Sequence, residues 1–173
     1  MRNEYEICGD KVSIFLKRKD GSCFETLIDL FDLNKVMSVD GWYVHERGYK
    51  RYYVVGSMKL RKGKHKLISL HRFLTEPQKD LVVDHIDRDP MNNTRVNLRV
   101  VYPFQNAQNL GVNKKNNSGV RGVRWHKQAK KWAATVRVKG YPRYEEFFYT
   151  KEEAVKAVIE ARKKLMPFSH ELL

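Results

Sequence analysis

The stretch from Leu81 to Asn106 constrains the fold of this chain more than any other. Leu81-Val82-Val83-Asp84-His85 and Val96-Asn97-Leu98-Arg99-Val100-Val101 are two apolar, β-branched runs. Between them lie Asp87, Asp89, Pro90, Asn92 and Asn93, so the segment reads as strand, polar loop, strand. Pro103 then stands where the first turn of a helix can begin. A carboxylate and an imidazole are neighbours at the end of the first run, where successive side chains point to opposite faces. Asp84 and His85 therefore serve two different sides.

The Asp84-His85 pair, the Asn97-Leu98 pair opening the second strand and the polar Asn106 beyond it together resemble the HNH nuclease family, whose site is a ββα-metal hairpin. Within that family the resemblance is to the phage and intron-encoded branch, in which Asn often replaces the last His. It implies that Asp84 and Asn106 hold one divalent cation, Mg²⁺ or Mn²⁺, that His85 is the general base, and that Asn97 fixes the imidazole. The chemistry is consistent with those residue types. An imidazole with an ordinary pKa of about 6.5 accepts a proton from water near neutral pH. A carboxylate and an amide oxygen suit a hard cation acting as Lewis acid and template. An amide on a ring nitrogen, or on the backbone beside it, selects the tautomer.

Asp87-Arg88-Asp89 does not make a calcium loop, because Leu98 stands where the bidentate Glu is needed and Arg95 intrudes. Asn92 and Asn93 read as turn residues. His71-Arg72 also resembles this branch of HNH proteins. His71 reads as a packed histidine under the site, and Arg72 as a phosphate contact, because guanidinium matches phosphate oxygens with paired donors.

A net charge of +14 with a pI near 9.8 points to a polyanionic partner, nucleic acid first. No apolar run approaches the ~18 residues of a spanning helix, and Met1-Arg2-Asn3-Glu4-Tyr5 is unlike a signal peptide. The expectation is a soluble, cytoplasmic protein, phage- or intron-encoded in a bacterial host, with double-stranded DNA as partner and no membrane. Cys8 and Cys23 are too few for a four-thiolate zinc site and are expected as small buried side chains rather than a disulfide.

Upstream of the hairpin the signals are mainly β. Val12–Leu16 alternates, Asp20-Gly21 marks a turn and Cys23–Ile28 resumes the alternation, which predicts a hairpin. Trp42–Val44, Arg51–Val55 and Lys66–Leu70 read as further strands. Lys59–Lys66 is a basic loop that either follows a phosphate backbone or forms a solvated hairpin tip.

Downstream, residues 110–117 are polar and basic and read as a linker. Residues 118–173 look like a separate module with strands near 120–125, 131–138 and 144–148. Thr150 and Glu153 match a capping box, and Ala154, Val158, Ala161 and Leu165 recur at helical spacing. Alternation places Trp132, Ala134, Val136 and Val138 on one face of the middle strand and Ala133, Thr135 and Arg137 on the other. The first set fits a core and the second a DNA contact.

Arg121-Gly122-Val123-Arg124, Lys131-Trp132-Ala133-Ala134, Val136-Arg137 and Glu152-Glu153-Ala154 resemble the plant APETALA/ethylene-response-factor DNA-binding domain, a three-stranded sheet packed on one helix. The resemblance implies DNA contacts from Arg121, Arg124, Trp132 and Arg137. Strand face and family pattern disagree over Trp132. Thr135 and Tyr144 depart from the plant pattern, so the plant sequence preference does not carry over. Residues 110–173 hold 15 Lys and Arg against 6 Asp and Glu, making the smaller part the more basic.

The expected fold class is α+β. A nuclease domain spans 1–109, with a β-rich part at 1–70 and a ββα-metal core at about 71–109. The linker and an ERF-like domain follow. The expected function is a metal-dependent DNA endonuclease of homing type, as a monomer. The alternatives are a DNA-binding regulator on an inactive nuclease fold, or a structured-RNA binder.

Overall fold

The computed structural model describes residues 1–48, 51–59, 63–113 and 115–170. They fall into two compact units, Met1–Tyr102 and Pro103–Leu173. Helices and antiparallel sheets are mixed in an α+β arrangement.

Among the described residues the first unit holds three sheets. Strands β1 (Tyr5–Cys8), β2 (Lys11–Lys17) and β3 (Cys23–Asp29) form an antiparallel meander, and Gly21, at φ +85°, turns the expected β2–β3 hairpin. After helix α1 (Leu33–Met37) come β4 (Trp42–Arg47), β5 (Arg51–Lys59) and β6 (His65–Ser69), also antiparallel. Helix α2 (Leu70–Thr75) leads to β7 (Val82–His85), which pairs with β8 (Leu98–Val101). Val12, Ile14, Leu16, Ile28, Val36, Trp42, Val54, Leu70, Leu74 and Leu98 make one core. Alternation along β2 sends one row into that core, while Ser13, opposite Leu27, donates its hydroxyl to the diagonally placed Glu25 at 2.5 Å. Of the basic loop, Leu60, Arg61 and Lys62 lie outside the described residues.

The cysteines are free, as expected, but both are exposed. Cys8 ends the outer strand β1, whose four residues are all exposed, and Cys23 opens β3 at its solvent end.

The second unit begins with the short helix α3 (Pro103–Asn106) and a 3₁₀ turn (Ala107–Asn109). Strands β9 (Val123–His126), β10 (Lys131–Val136) and β11 (Tyr144–Phe148) form an antiparallel sheet with β10 central. Helix α4 (Lys151–Leu165) covers one face, burying Ala154, Val158 and Ala161 against Val123, Ala134 and Val136. The capping box forms as the sequence predicts: Glu153 N–H donates to Thr150 Oγ1 at 3.2 Å, and Thr150 N–H to Glu153 Oε2 at 3.1 Å.

Gly122 is required where β9 begins. Its φ is +91°, and a Cβ there would meet the Thr135 carbonyl oxygen at 2.6 Å and Val158 Cγ2 at 2.7 Å. The residues read as a linker are folded in part: Asn116 donates to the Val120 carbonyl at 2.9 Å and accepts from Ser118, while Lys114 lies outside the described residues.

Candidate functional site

Strands β7 and β8 place the catalytic candidates. Their register sets Asp84 opposite Arg99 and His85 opposite Leu98. Arg99 Nη2 and Nε both donate to Asp84 Oδ2, at 2.6 and 2.9 Å. The neighbouring His85 turns to the other side of the strand and is 6% exposed.

The imidazole is held by Asn93. Its Oδ1 lies 3.2 Å from His85 Nε2, and the residue is fully buried. Two contacts fix which way this amide points. Asn93 Nδ2 donates to Thr26 Oγ1 at 2.9 Å and to the Pro90 carbonyl at 3.0 Å. Thr26 spends its own hydroxyl hydrogen on the Met91 carbonyl at 2.7 Å, so it can only accept from Asn93. Asn93 Oδ1 is therefore the atom facing the ring, Nε2 carries the hydrogen, and the basic lone pair of the neutral ring sits on Nδ1.

Burial lowers the His85 pKa from its ordinary value, partly offset by the Asn93 bond and by Asp87, Asp84 and Asp89. The ring is then neutral near pH 7. His71 packs edge-on against it with ring centroids 5.2 Å apart, and Tyr53 lies 6.0 Å beyond His71. Burial, followed by the charges of His85, Arg72 and Arg47, brings the His71 pKa down to about 3. His71 is a neutral wall of the site.

Asn97 works through the backbone beside His85, one of the two ways in which an amide there can orient the ring. Its Oδ1 accepts the Asp87 N–H at 2.9 Å, and its Nδ2 donates to Asp87 Oδ1 at 2.9 Å and to the Asn92 carbonyl at 2.7 Å. The Asn97 carbonyl also takes the Ile86 N–H. It therefore ties down the backbone leaving His85, while the ring contact belongs to Asn93, which the sequence presents only as a turn residue.

The amino-terminal strands supply the other wall. Leu27 forms a parallel bridge with Asn92, through Leu27 N–H to Met91 O and Asn93 N–H to Leu27 O. Asp29 accepts the Arg95 N–H at 2.6 Å. Arg95 also forms a two-point pair with Asp32, both bonds 2.8 Å. Thr26, Asp29 and Asp32 are each about 60 residues upstream of the loop they brace, and no local motif marks them.

Arg72 donates to the Leu81 carbonyl at 3.1 Å and so anchors the approach to β7. Asn106 ends α3 half-buried and belongs to the second unit. Among the described residues no group of three His, Cys, Asp or Glu side chains is placed to hold a metal ion. Arg99 on the Asp84 carboxylate already shows that this oxygen receives a positive charge.

Residues 62–108, which carry this hairpin, match the model of the HNH endonuclease family. This segment is similar to HNH endonuclease domains. The chain is 39% identical over 62 residues to Protein 3.8 of Escherichia phage T7, covering 36% of this chain and 51% of that protein. It is 36% identical over 89 residues to an uncharacterized HNH endonuclease, L560, of Acanthamoeba polyphaga mimivirus, covering 51% and 43%. It is also 37% identical over 93 residues to the ethylene-responsive transcription factor ERF069 of Arabidopsis thaliana, covering 51% and 56%. The chain thus spans about half the length of these relatives. No solved structure matches.

Outside the matched segment, the sheet of the second unit leaves one face uncovered by α4. Arg124, Ala133 and Phe147 share it, as do Thr135 and Glu145. Glu145 ties Arg124 at 3.0 Å, Thr135 at 3.3 Å and Arg143. Arg137 follows the strand and is exposed.

Two expected DNA contacts are corrected here. Trp132 pairs with Trp125 and Phe148 and packs into the α4-covered core, with the Trp125 ring 5.4 Å away. The period of two along β10 decides its face. Arg121 directs its guanidinium into the protein, donating to the carbonyls of Ala107, Gln108 and Leu110 at 3.0, 2.8 and 2.7 Å. It caps the 3₁₀ turn and holds residues 107–110 to this unit. Gln108 and Asn109 add bonds from their side chains to the backbone of Phe168 and His170. That is why residues 103–109 group with the second unit although the family match runs on to residue 108.

Among the described residues no helix is long and apolar enough to cross a membrane.

Proposed function

We propose that this chain is a metal-dependent DNA endonuclease of the phage or intron-encoded homing type, acting on double-stranded DNA. The observation that carries the reading is the division of labour at the end of β7: the Asp84 carboxylate faces the Arg99 guanidinium, and His85 faces an amide that fixes its tautomer.

In this reading His85 Nδ1 takes a proton from water, and the resulting hydroxide attacks the scissile phosphorus. Asn93, backed by Thr26, keeps the ring turned to that task. Asn97 and the Asp29 and Asp32 contacts keep the loop rigid. HNH endonucleases generally use divalent ions. Asp84 is the donor on the hairpin, and the family resemblance adds Asn106 as the second ligand of Mg²⁺ or Mn²⁺. Such an ion, when bound, supplies charge neutralisation on the phosphate and stabilisation of the leaving 3′-oxygen.

The open face of the second unit supports a DNA-holding role of ERF-like type. Arg124 and Arg137 are the contacts there, because a sheet face with arginines fits the major groove. Arg72 is assigned to the DNA backbone near the site.

The test is His85→Ala in a plasmid-nicking assay with Mg²⁺, alongside binding of the same DNA. Binding is expected to survive and cleavage to be lost. Full cleavage in the variant, or wild-type cleavage in excess chelator, would overturn the assignment.

A further inference from the structure

We propose that Arg99 is a resident counter-cation for Asp84, which the incoming divalent ion must displace. The ion-free site is thereby kept folded, and the ion concentration at which it loads is set by the exchange. The inference rests on Asp84 as the ion's carboxylate ligand.

Three observations carry it. Asp84 and Arg99 are direct cross-strand partners, so the contact is built into the β7–β8 register rather than made by a long side chain reaching across a surface. Two of the guanidinium nitrogens, Nε and Nη2, donate to the same oxygen, Oδ2. Both side chains are largely buried, at 8% and 18% exposure, where a carboxylate needs a compensating charge.

A divalent ion on that carboxylate would stand within a few ångströms of the guanidinium, and two cations so placed repel strongly in a partly desolvated site. Exchange is the economical outcome: one cation leaves as the other arrives. The Arg95–Asp32 pair nearby makes the contrast. There each carboxylate oxygen receives its own donor, and the pair braces the loop from the amino-terminal strands.

The experiment measures Mn²⁺ binding to the full chain without DNA, by the loss of the free-ion signal in electron paramagnetic resonance. Wild type is compared with Arg99→Gln, Arg99→Lys and Asp84→Asn. Removing the competing charge is expected to tighten Mn²⁺ roughly tenfold or more in Arg99→Gln. Arg99→Lys, which keeps the charge, should stay near wild type. Melting temperature supplies a readout that a merely structural role would not move: Mn²⁺ should raise it more in Arg99→Gln than in wild type.

Equal or weaker Mn²⁺ binding in Arg99→Gln, or an equal rise in melting temperature, would overturn the exchange. Should Arg99→Gln fail to fold even with Mn²⁺, the wild type decides. The Arg99 Nε–H resonance must move on saturation with Mg²⁺, and an unmoved resonance refutes displacement. Wild-type Mn²⁺ binding by Asp84→Asn would instead overturn the ligand assignment itself, so the two failures are distinguishable.

Discussion

Replacing Asn93 by alanine removes the group that sets the His85 tautomer. The amide accepts one bond from Nε2, donates to Thr26 Oγ1 and the Pro90 carbonyl with a longer third contact to the Met91 carbonyl at 3.4 Å, and is fully buried. At ~1 kcal/mol net per bond, its loss costs about 3 kcal/mol of stability. The larger consequence is kinetic. With no acceptor facing Nε2, the ring is free to carry its hydrogen on either nitrogen and to rotate, and loss of an orienting partner of this kind typically costs roughly 10–100-fold. Thr26→Val is the milder companion, since it leaves the amide in place and removes the hydroxyl that orients it; a loss of about 1 kcal/mol and a smaller rate effect are expected. The assay is single-turnover plasmid nicking with Mg²⁺, with urea unfolding and DNA binding on the same samples. The fall should lie in the rate constant at saturating DNA. Asn93→Ala cleaving at the wild-type rate, or losing activity only in proportion to its unfolded fraction, would refute the tautomer argument.

Three further outcomes are expected. His71 has its pKa pushed down to about 3 in the fold. Its contribution to stability is therefore complete above the unfolded value of ~6.5 and is lost as pH falls from there, by about 2 kcal/mol between pH 6.5 and 5. Urea melts of wild type and His71→Phe at pH 7, 6 and 5 check this, and parallel pH dependences would contradict it. Gly122→Ala forces a side chain onto the Thr135 carbonyl and Val158 at positive φ, costing roughly 2–5 kcal/mol, and an unchanged melting temperature would count against the packing described. Arg124→Gln and Arg137→Gln should each flatten the dependence of log DNA affinity on log salt by about 0.9 if each meets a phosphate, whereas Trp132→Phe should leave that slope alone.

What could be read from the chain alone followed a pattern. The hairpin was legible because β-branched runs around a Pro- and Asn-rich loop carry a local signal, and Thr150 with Glu153 announced helix α4 in the same way. Trp132 shows the strength of that reasoning: strand alternation placed it on the core side of the sheet, where it packs half-buried against the core, while the analogy placed it on DNA. Asn93 was not legible, because an asparagine in a turn has the same local signature whether it faces solvent or is fully buried against a histidine. Nor was the pairing of Arg95 with Asp32, since charges 63 residues apart have no periodicity linking them. Arg121 was misread because a guanidinium suits three backbone carbonyls as well as it suits a phosphate.

The parallel bridge between Leu27 and Asn92 has a consequence for how such a domain can be shortened. A fragment trimmed to residues 62–108 would retain every residue that identifies the hairpin. It would lack Thr26, Asp29 and Asp32, and with them the scaffolding on which His85 takes its bearing. The portion of the chain with the least recognisable sequence is thus the one from which the hairpin cannot be separated.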